Sequence, residues 1–454
     1  MTTVDLRIPA DLYQALHNDV AGSREWAGYL LCGIRHGSPD LLLGREWHPV
    51  PVAQQVTGIG HGFSWHPDFD VQMLNKLQRD NQAAVVIHYH GGRSPRPSHD
   101  DTATAKSLMT FLSGEAPGRP HAFAVLGDKA ISGIIYASGT TAGALGTVRI
   151  VGSWLDDWKP APGPPAPSST ERYDRLVRGF GREAHSRLRG TRIGVIGCGG
   201  GASHVIQQLA YLGVGSLTLV DADRVEMTNL NRLIGAVPPR NRRTLAERLL
   251  GGGHGDIGRP KAEVMARMAN AIDDNIEVTA ITEYFPTTTT LEALRRCDIL
   301  IACVDRLQVR DDLNRLAKRY LIPMLDIGIE VTPGPQRAGT IVAIPGRITK
   351  VLPDGPCLRC QGVVDDAKLQ TERDGQPLGY TGASKIPDPA VVTLNGTVAS
   401  AAATEVLQLV TGFAGHRAPN CGWIYDGLTG TIEQVWKHNR GCPACQDERG
   451  RGDP

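Results

Sequence analysis

The chain runs to 454 residues, with 48 Lys and Arg against 47 Asp and Glu, for a formal net charge of +1. That balance excludes an electrostatic case for binding nucleic acid or an anionic membrane surface, and 41% hydrophobic with 21% charged residues fits two or three ordinary globular domains. No basic region followed by an apolar core opens the chain, and no window approaches the roughly eighteen apolar residues of a membrane span, so the expectation is a cytoplasmic protein. Nine cysteines, four of them in two C-x-x-C pairs, fit metal ligation in a reducing compartment better than disulfides.

In chain order, the first part mixes strand-like runs (Tyr29–Gly33, Ala83–Ile87, Ile131–Tyr136) with helical patterns near 66–81 and 101–113. His88 and His90 follow the second run with one residue between them. In an extended chain, residues i and i+2 share a face, so both imidazoles can address one ion. Asp101 follows after a stretch long enough for a loop to return a hard oxygen ligand. Two nitrogens and one carboxylate leave zinc an open fourth position for water, the catalytic arrangement, and zinc brings the pKa of that water to about 7. Glu25, just before a strand, is the candidate general base. Ser98-x-x-Asp101 also reads as a capping box opening the helix near 101–113.

These residues together resemble the JAMM (JAB/MPN-plus) metallopeptidases, which hydrolyse peptide or isopeptide bonds after the C-terminal glycine of ubiquitin-like proteins. The resemblance implies His88, His90 and Asp101 as ligands of a catalytic Zn²⁺, Glu25 as acid/base and Ser98 as oxyanion stabiliser. Gly91 stands where most members carry a proline. A metal-free, carrier-binding version of the same fold is the alternative.

The densest proline stretch, within 156–169, cannot form a strand or a helix interior and reads as a semi-rigid linker. It separates a domain at 1–155 from one at 170–447, with 448–454 as a flexible tail. From Arg192 the pattern becomes strand, glycine loop, helix, strand, with later buried strands at Asp298–Ala302 and Pro323–Ile327, which predicts a parallel α/β sheet. Gly197, Gly199 and Gly200 open the first helix, where glycines admit a phosphate and the helix N-terminus offers unpaired N–H groups. Asp221 ends the next strand, placed to accept ribose hydroxyls. A dinucleotide-dependent oxidoreductase would share all of that. Asn229 and Arg232, then Lys261, then Asp305 and Arg310, add cations for a triphosphate and a carboxylate for magnesium, which hydride transfer does not use.

This second set resembles the ThiF/MoeB family, which includes the adenylating half of ubiquitin-activating enzymes, and Arg172-Tyr-Asp-Arg175 is similar to its opening helix signature. The resemblance implies Asp221 on the ATP ribose, Asn229, Arg232 and Lys261 on the phosphates, Asp305 on Mg²⁺, and Arg175 reaching a partner's nucleotide across a homodimer interface. Cys357, Cys360, Cys442 and Cys445 supply the four soft ligands of a closed, structural zinc site. Three features depart from the family. Ala202 replaces the usual last glycine, an Arg/Gly-rich insertion separates Arg232 from Lys261, and residues 361–420 hold no cysteine for a thioester. An oxyester on Thr381 or Ser384 remains open.

The expected architecture is therefore α/β throughout: a JAB/MPN metalloprotease-like domain, then a Rossmann-like ThiF/MoeB adenylation domain with structural zinc. The expected activity is ATP-dependent adenylation of the C-terminal glycine of a ubiquitin-like protein, with JAMM hydrolysis after that glycine. Its setting would be a bacterial ubiquitin-like modification pathway, including those tied to phage defence, with a conjugating enzyme as further partner. The alternative is activation and trimming of a sulfur carrier for thiamine, molybdopterin or cysteine synthesis, with a sulfurtransferase. A scaffold with an inert hydrolase half is the third reading.

Overall fold

The computed structural model of the chain describes all residues except 1, 21–24, 59–60, 90–94, 96, 128–129, 138–139, 159–170, 240–254, 335–338, 376–388, 416–421 and 436–441. His90, Thr381, Ser384, most of the proline linker and the core of the Arg/Gly-rich insertion thus lie outside the described residues. The chain divides into two units. Unit 1 comprises Met1–Pro162, Arg319–Leu321 and Gln446–Pro454, and unit 2 comprises Gly163–Lys318 and Ile322–Cys445. The division falls inside the proline-rich stretch.

Unit 1 contains, in order, β1 (Thr2–Pro9), α1 (Ala10–Val20), β2 (Trp26–Arg35), β3 (Asp40–Pro49), β4 (Gln55–Gly58), β5 (His61–Trp65) and α2 (Pro67–Arg79). After these come β6 (Ala83–Tyr89), α3 (His99–Glu115), β7 (His121–Leu126), β8 (Ile131–Ala137), β9 (Thr140–Val151) and β10 (Leu155–Asp157). The main sheet runs β1-β3-β2-β6-β7-β8-β9-β10, and β9 also pairs with β1 in parallel, so the sheet closes on itself.

Period-two alternation along the central strands builds two cores on opposite faces. Leu30, Cys32 and Ile34 of β2, with Ala83, Val85 and Ile87 of β6, pack inward against Leu6 and Ile8 of β1. Tyr29 and Leu31, with Ala84 and Val86, face Met73 and Leu77 of α2 and Met109 and Leu112 of α3. Each of the leucines, isoleucines, valines and methionines among them contributes roughly 1.5–3 kcal/mol by burial. By the same alternation His88 belongs to the helix-covered face.

Residues 446–454, read from sequence as belonging mostly to a flexible tail, are instead bound in unit 1. Asp453 N–H donates to the Ile34 carbonyl at 2.6 Å, and Asp453 accepts His36 N–H at 2.8 Å and Tyr320 O–H at 2.7 Å. Short-range sequence has no signal for a pairing more than four hundred residues apart.

Unit 2 opens with α4 (Asp174–Gly190), then β11 (Arg192–Ile196), α5 (Gly200–Leu212), β12 (Ser216–Val220), α6 (Lys261–Ile272), β13 (Glu277–Ile281), α7 (Thr288–Leu294) and β14 (Ile299–Ala302). It continues through α8 (Leu307–Arg319), β15 (Met324–Ile329), a small β16 (Thr332–Pro333)–β17 (Ile341–Ala343) pair, β18 (Pro345–Val351), α9 (Asp366–Arg373), α10 (Val392–Thr411), β19 (Gly422–Asp426), β20 (Thr431–Val435) and α11 (Pro443–Glu448). The sheet order is β13-β12-β11-β14-β15-β18-β19-β20. The first five strands are parallel, as the alternating pattern predicts, and the last three extend the sheet antiparallel. Helices α5 and α10 bury Val205, Ile206, Leu209, Val406 and Leu409.

The Arg/Gly-rich insertion leaves and rejoins the fold at one point. Val237 N–H donates to Asp256 Oδ2 at 2.6 Å, and Asp256 N–H returns to the Val237 carbonyl at 2.9 Å. Arg267 of α6 grips the same carboxylate with both terminal nitrogens at 2.6 Å.

Candidate functional site

In an open sheet of order 3-2-1-4-5, the strand order reverses between β11 and β14, and the crevice beyond the carboxyl ends of those strands is where ligands bind. Gly197 leaves β11 with φ +83, and a Cβ there would sit 2.5 Å from the Cys303 carbonyl oxygen at the end of β14. Only glycine allows both the positive φ and that approach. Gly199 caps α5, and Gly200 is its first residue. A Cβ at Gly200 would lie 2.6 Å from Asn395 Nδ2 and 3.2 Å from Arg232 Cγ, so three segments converge on the start of α5. Ala202 is fully buried there, so its methyl is accommodated.

Asp221 follows β12 and is held by backbone donors on both oxygens. Cys198 N–H reaches Oδ2 at 2.6 Å, and Asp223 N–H reaches Oδ1 at 2.7 Å. Burial pushes the Asp221 carboxyl above its ordinary value, and these two bonds pull it back only in part. Cys198 is itself fully buried, and burial beside Asp221 pushes its thiol well up, so it packs as a neutral group. Lys261 opens α6 with its Nζ 2.9 Å from Asp223 Oδ2, while its N–H bonds the Asp223 carbonyl at 2.8 Å. Asn229 Oδ1 accepts Glu226 N–H at 3.1 Å and shapes the turn that carries Arg232. Arg232 Nη1 donates to the Thr228 carbonyl at 2.6 Å, and Ser203 Oγ of α5 accepts Ile234 N–H at 3.1 Å, tying this segment to the glycine loop. The structure thus brings Gly197, Gly199, Gly200, Asp221, Asn229, Arg232 and Lys261 to one end of the sheet.

Asp305 stands exposed just after β14, at the mouth of a cavity of about 420 Å³ lined by Leu307, Arg347, Gln361, Lys368, Trp423 and Ile424, among others. Arg310 departs from expectation. Its Nη1 is bound to Asp326 Oδ2 at 2.8 Å, and its Nε and Nη2 to the Val304 carbonyl at 3.0 and 2.5 Å, so it braces the Asp305 turn instead of offering a cation to phosphate. Arg347 pairs with the same Asp326 oxygen at 3.0 Å. Asp326 was missed because it sits inside an apolar strand. A lone acid in such a run was the available signal, since buried carboxylates require partners. Arg175 is exposed on α4.

Cys357, Cys360, Cys442 and Cys445 gather their sulfurs within 4.8 Å of one another. Neighbouring Sγ atoms stand 3.7, 3.7 and 3.6 Å apart. Tetrahedral zinc with bonds of about 2.3 Å holds sulfurs roughly 3.8 Å apart, so the donor set fits such an ion.

In unit 1, His88 is the penultimate residue of β6, and Asp101 lies in the first turn of α3. His88 Nδ1 is 2.8 Å from Asp101 Oδ1, and both residues are buried. Asp101 Oδ2 accepts Ser98 N–H at 2.6 Å, and Ser98 Oγ accepts Asp101 N–H at 3.1 Å, completing the expected capping box. Glu25 is exposed, one residue before the strand position Trp26 that pairs with Tyr89. His90 lies outside the described residues.

Known proteins match this sequence. The ThiF family model matches residues 173–444. The chain is 28% identical over 278 residues to the SAMP-activating enzyme E1 of Haloferax volcanii, covering 61% of this chain and 88% of that protein. It is 26% identical over 283 residues to the molybdopterin-synthase adenylyltransferase of Escherichia coli, covering 60% and 95%. It is 25% identical over 295 residues to the sulfur carrier protein adenylyltransferase of Thermus thermophilus, covering 61% and 91%. With its family match spanning the sheet, the glycine loop and three of the four clustered cysteines, the chain belongs to the ThiF family.

Proposed function

We propose that unit 2 adenylates the C-terminal glycine of a small sulfur-carrier or ubiquitin-like protein, with the sulfur-carrier role as the leading reading. The observation that carries it is the convergence of Gly197, Asp221, Arg232 and Asp305 at the switch point of the sheet, in a chain similar to adenylyltransferases for molybdopterin synthase and for a sulfur carrier. Asp221, already oriented by two N–H groups, accepts the ribose hydroxyls of ATP. The N–H groups of the first turn of α5, with Arg232 and Lys261, neutralise the phosphates. Asp305 holds Mg²⁺, which supplies further charge neutralisation when bound. The carrier's terminal segment lies in the cavity beside Asp305. Its carboxylate oxygen forms a bond to the α-phosphorus as the bond to the β-phosphate oxygen breaks, releasing pyrophosphate and leaving an acyl-adenylate. Catalysis then consists of positioning and charge stabilisation. The four cysteines hold a structural zinc, and Arg175 serves a homodimer partner.

ATP–pyrophosphate exchange with diglycine-ended sulfur carriers tests this. Carrier-dependent exchange, lost in Asp305→Ala, is the expected result. Absence of exchange with every such carrier, in protein that still melts cooperatively, would sink the reading.

The His88–Asp101 pairing beside the Ser98 cap favours a second activity for unit 1, zinc-dependent hydrolysis after the carrier's glycine. It would trim the carrier or release it from a target, with Glu25 as base. A carrier extended past its glycine should be shortened by the wild type and left intact by Glu25→Gln. If both proteins leave it intact with zinc present, unit 1 acts as a carrier-binding module.

A further inference from the structure

A polar group close to the start of α5 comes from a segment that the nucleotide motifs do not include. Asn395 lies in the first turns of α10 (Val392–Thr411) and is 7% exposed. Its Nδ2 stands 2.6 Å from where a Cβ would project at Gly200, the first residue of α5. Among the described residues its side-chain amide makes no hydrogen bond, although its backbone N–H pairs normally with the Val391 carbonyl. The residue is more than nine-tenths buried, and its amide is directed at the start of α5 with no protein partner among the described residues. The packing of α10 fixes its direction. Gly396, the next residue, lets α10 approach α5 so closely that a Cβ there would meet the His204 ring at 3.2 Å. Arg232 reaches the same point from the other side, with its Cγ 3.2 Å from the projected Cβ of Gly200.

We infer that Asn395 is a positioning residue for the nucleotide, its side-chain N–H₂ donating to a phosphate oxygen seated at the N-terminus of α5. The inference rests on the ATP-binding reading above and adds a contact from a distant helix to it. A phosphate there receives backbone N–H groups from α5, the guanidinium of Arg232, and the Asn395 amide as a neutral third donor. Gly200 is then required for clearance: any side chain at that position would displace the amide from the phosphate.

The test compares wild type, Asn395→Ala and Asn395→Asp by equilibrium titration with ATP and, separately, with adenosine, which has no phosphate. A hydrogen bond to a charged group corresponds to a loss of roughly 10-fold or more in affinity on truncation. Asn395→Ala should weaken ATP by that factor and leave adenosine unchanged. Asn395→Asp, isosteric but anionic, should weaken ATP further, again without moving adenosine. The melting temperature without nucleotide should stay close to wild type, separating a binding defect from misfolding. ATP binding by Asn395→Ala within twofold of wild type, or parallel loss of ATP and adenosine, would overturn the inference. Asp221→Ala serves as the reference: if wild type binds no ATP, or Asp221→Ala binds it undiminished, the fault lies with the nucleotide reading itself.

Discussion

Asp326→Ala should destabilise unit 2 and impair its site together. Asp326 is fully buried, and its Oδ2 takes Arg310 Nη1 at 2.8 Å and Arg347 Nη2 at 3.0 Å. The Arg310 side chain is 9% exposed and that of Arg347 18%, so neither cation can move readily into water. Breaking such a pair from one side leaves an uncompensated charge inside the protein, at a cost of about 3–5 kcal/mol. At about 2–4 °C per kcal/mol for a large domain, the melting transition should fall by roughly 6–20 °C. The functional arm follows from Arg310, which bonds the Val304 carbonyl one residue before Asp305. Released from Asp326, Arg310 no longer fixes that turn, so pyrophosphate exchange should drop at temperatures where the variant is still folded. Asp326→Asn, which keeps an acceptor but no charge, should fall between. Thermal unfolding followed by far-UV circular dichroism reads the first effect and exchange kinetics the second. An Asp326→Ala protein that melts within about 2 °C of wild type would refute the reasoning, because the arginines would then be finding water.

Gly197→Ala should abolish ATP binding in a nucleotide titration, because the φ of +83 and the nearby Cys303 carbonyl force β11 and β14 to part, with the left-handed backbone alone costing about 1–2 kcal/mol. Metal analysis should find one zinc fewer per chain in Cys357→Ser than in wild type, and chelation should lower the melting temperature of the wild type but not of the variant. Glu46, hydrogen-bonded to His48 and Lys76, is held down to about 2 from its ordinary value of 4.5, chiefly by the His48 bond. A depressed carboxylate stabilises above its unfolded value and loses that contribution as pH falls. The melting difference between wild type and Glu46→Gln should therefore be full above about 4.5 and close as pH approaches 2. A gap that persists at pH 2 would contradict the assignment.

Much of unit 2 was legible because its signals are local. The apolar run of β11, the glycines after it and the acid ending β12 occupy one short stretch, and they determine where a phosphate and a ribose can sit. The helix at His99–Glu115 was legible from Ser98 and Asp101, since a capping box is a four-residue motif. What stayed hidden depends on distant partners. The closure of β1 on β9 joins residues 2–9 to 143–151, and the antiparallel strands β18–β20 carry no parallel-sheet pattern. Arg310 looked like a phosphate ligand because sequence cannot reveal that Asp326 lies opposite it. Asn395 is one of several polar residues along α10, with nothing to single it out until α10 is laid against α5.

At the stem, Val237 and Asp256 bring the two ends of residues 238–255 together. Both ends are fixed by the same carboxylate, which Arg267 anchors to α6, so the excursion starts and stops at one fixed point. Lengthening such an excursion costs only about 0.6 kcal/mol per doubling. A reporter domain or affinity tag inserted between Val237 and Asp256 should therefore leave the stem, with Arg232 before it and Lys261 after it, in place, which pyrophosphate exchange by the insertion variant would check.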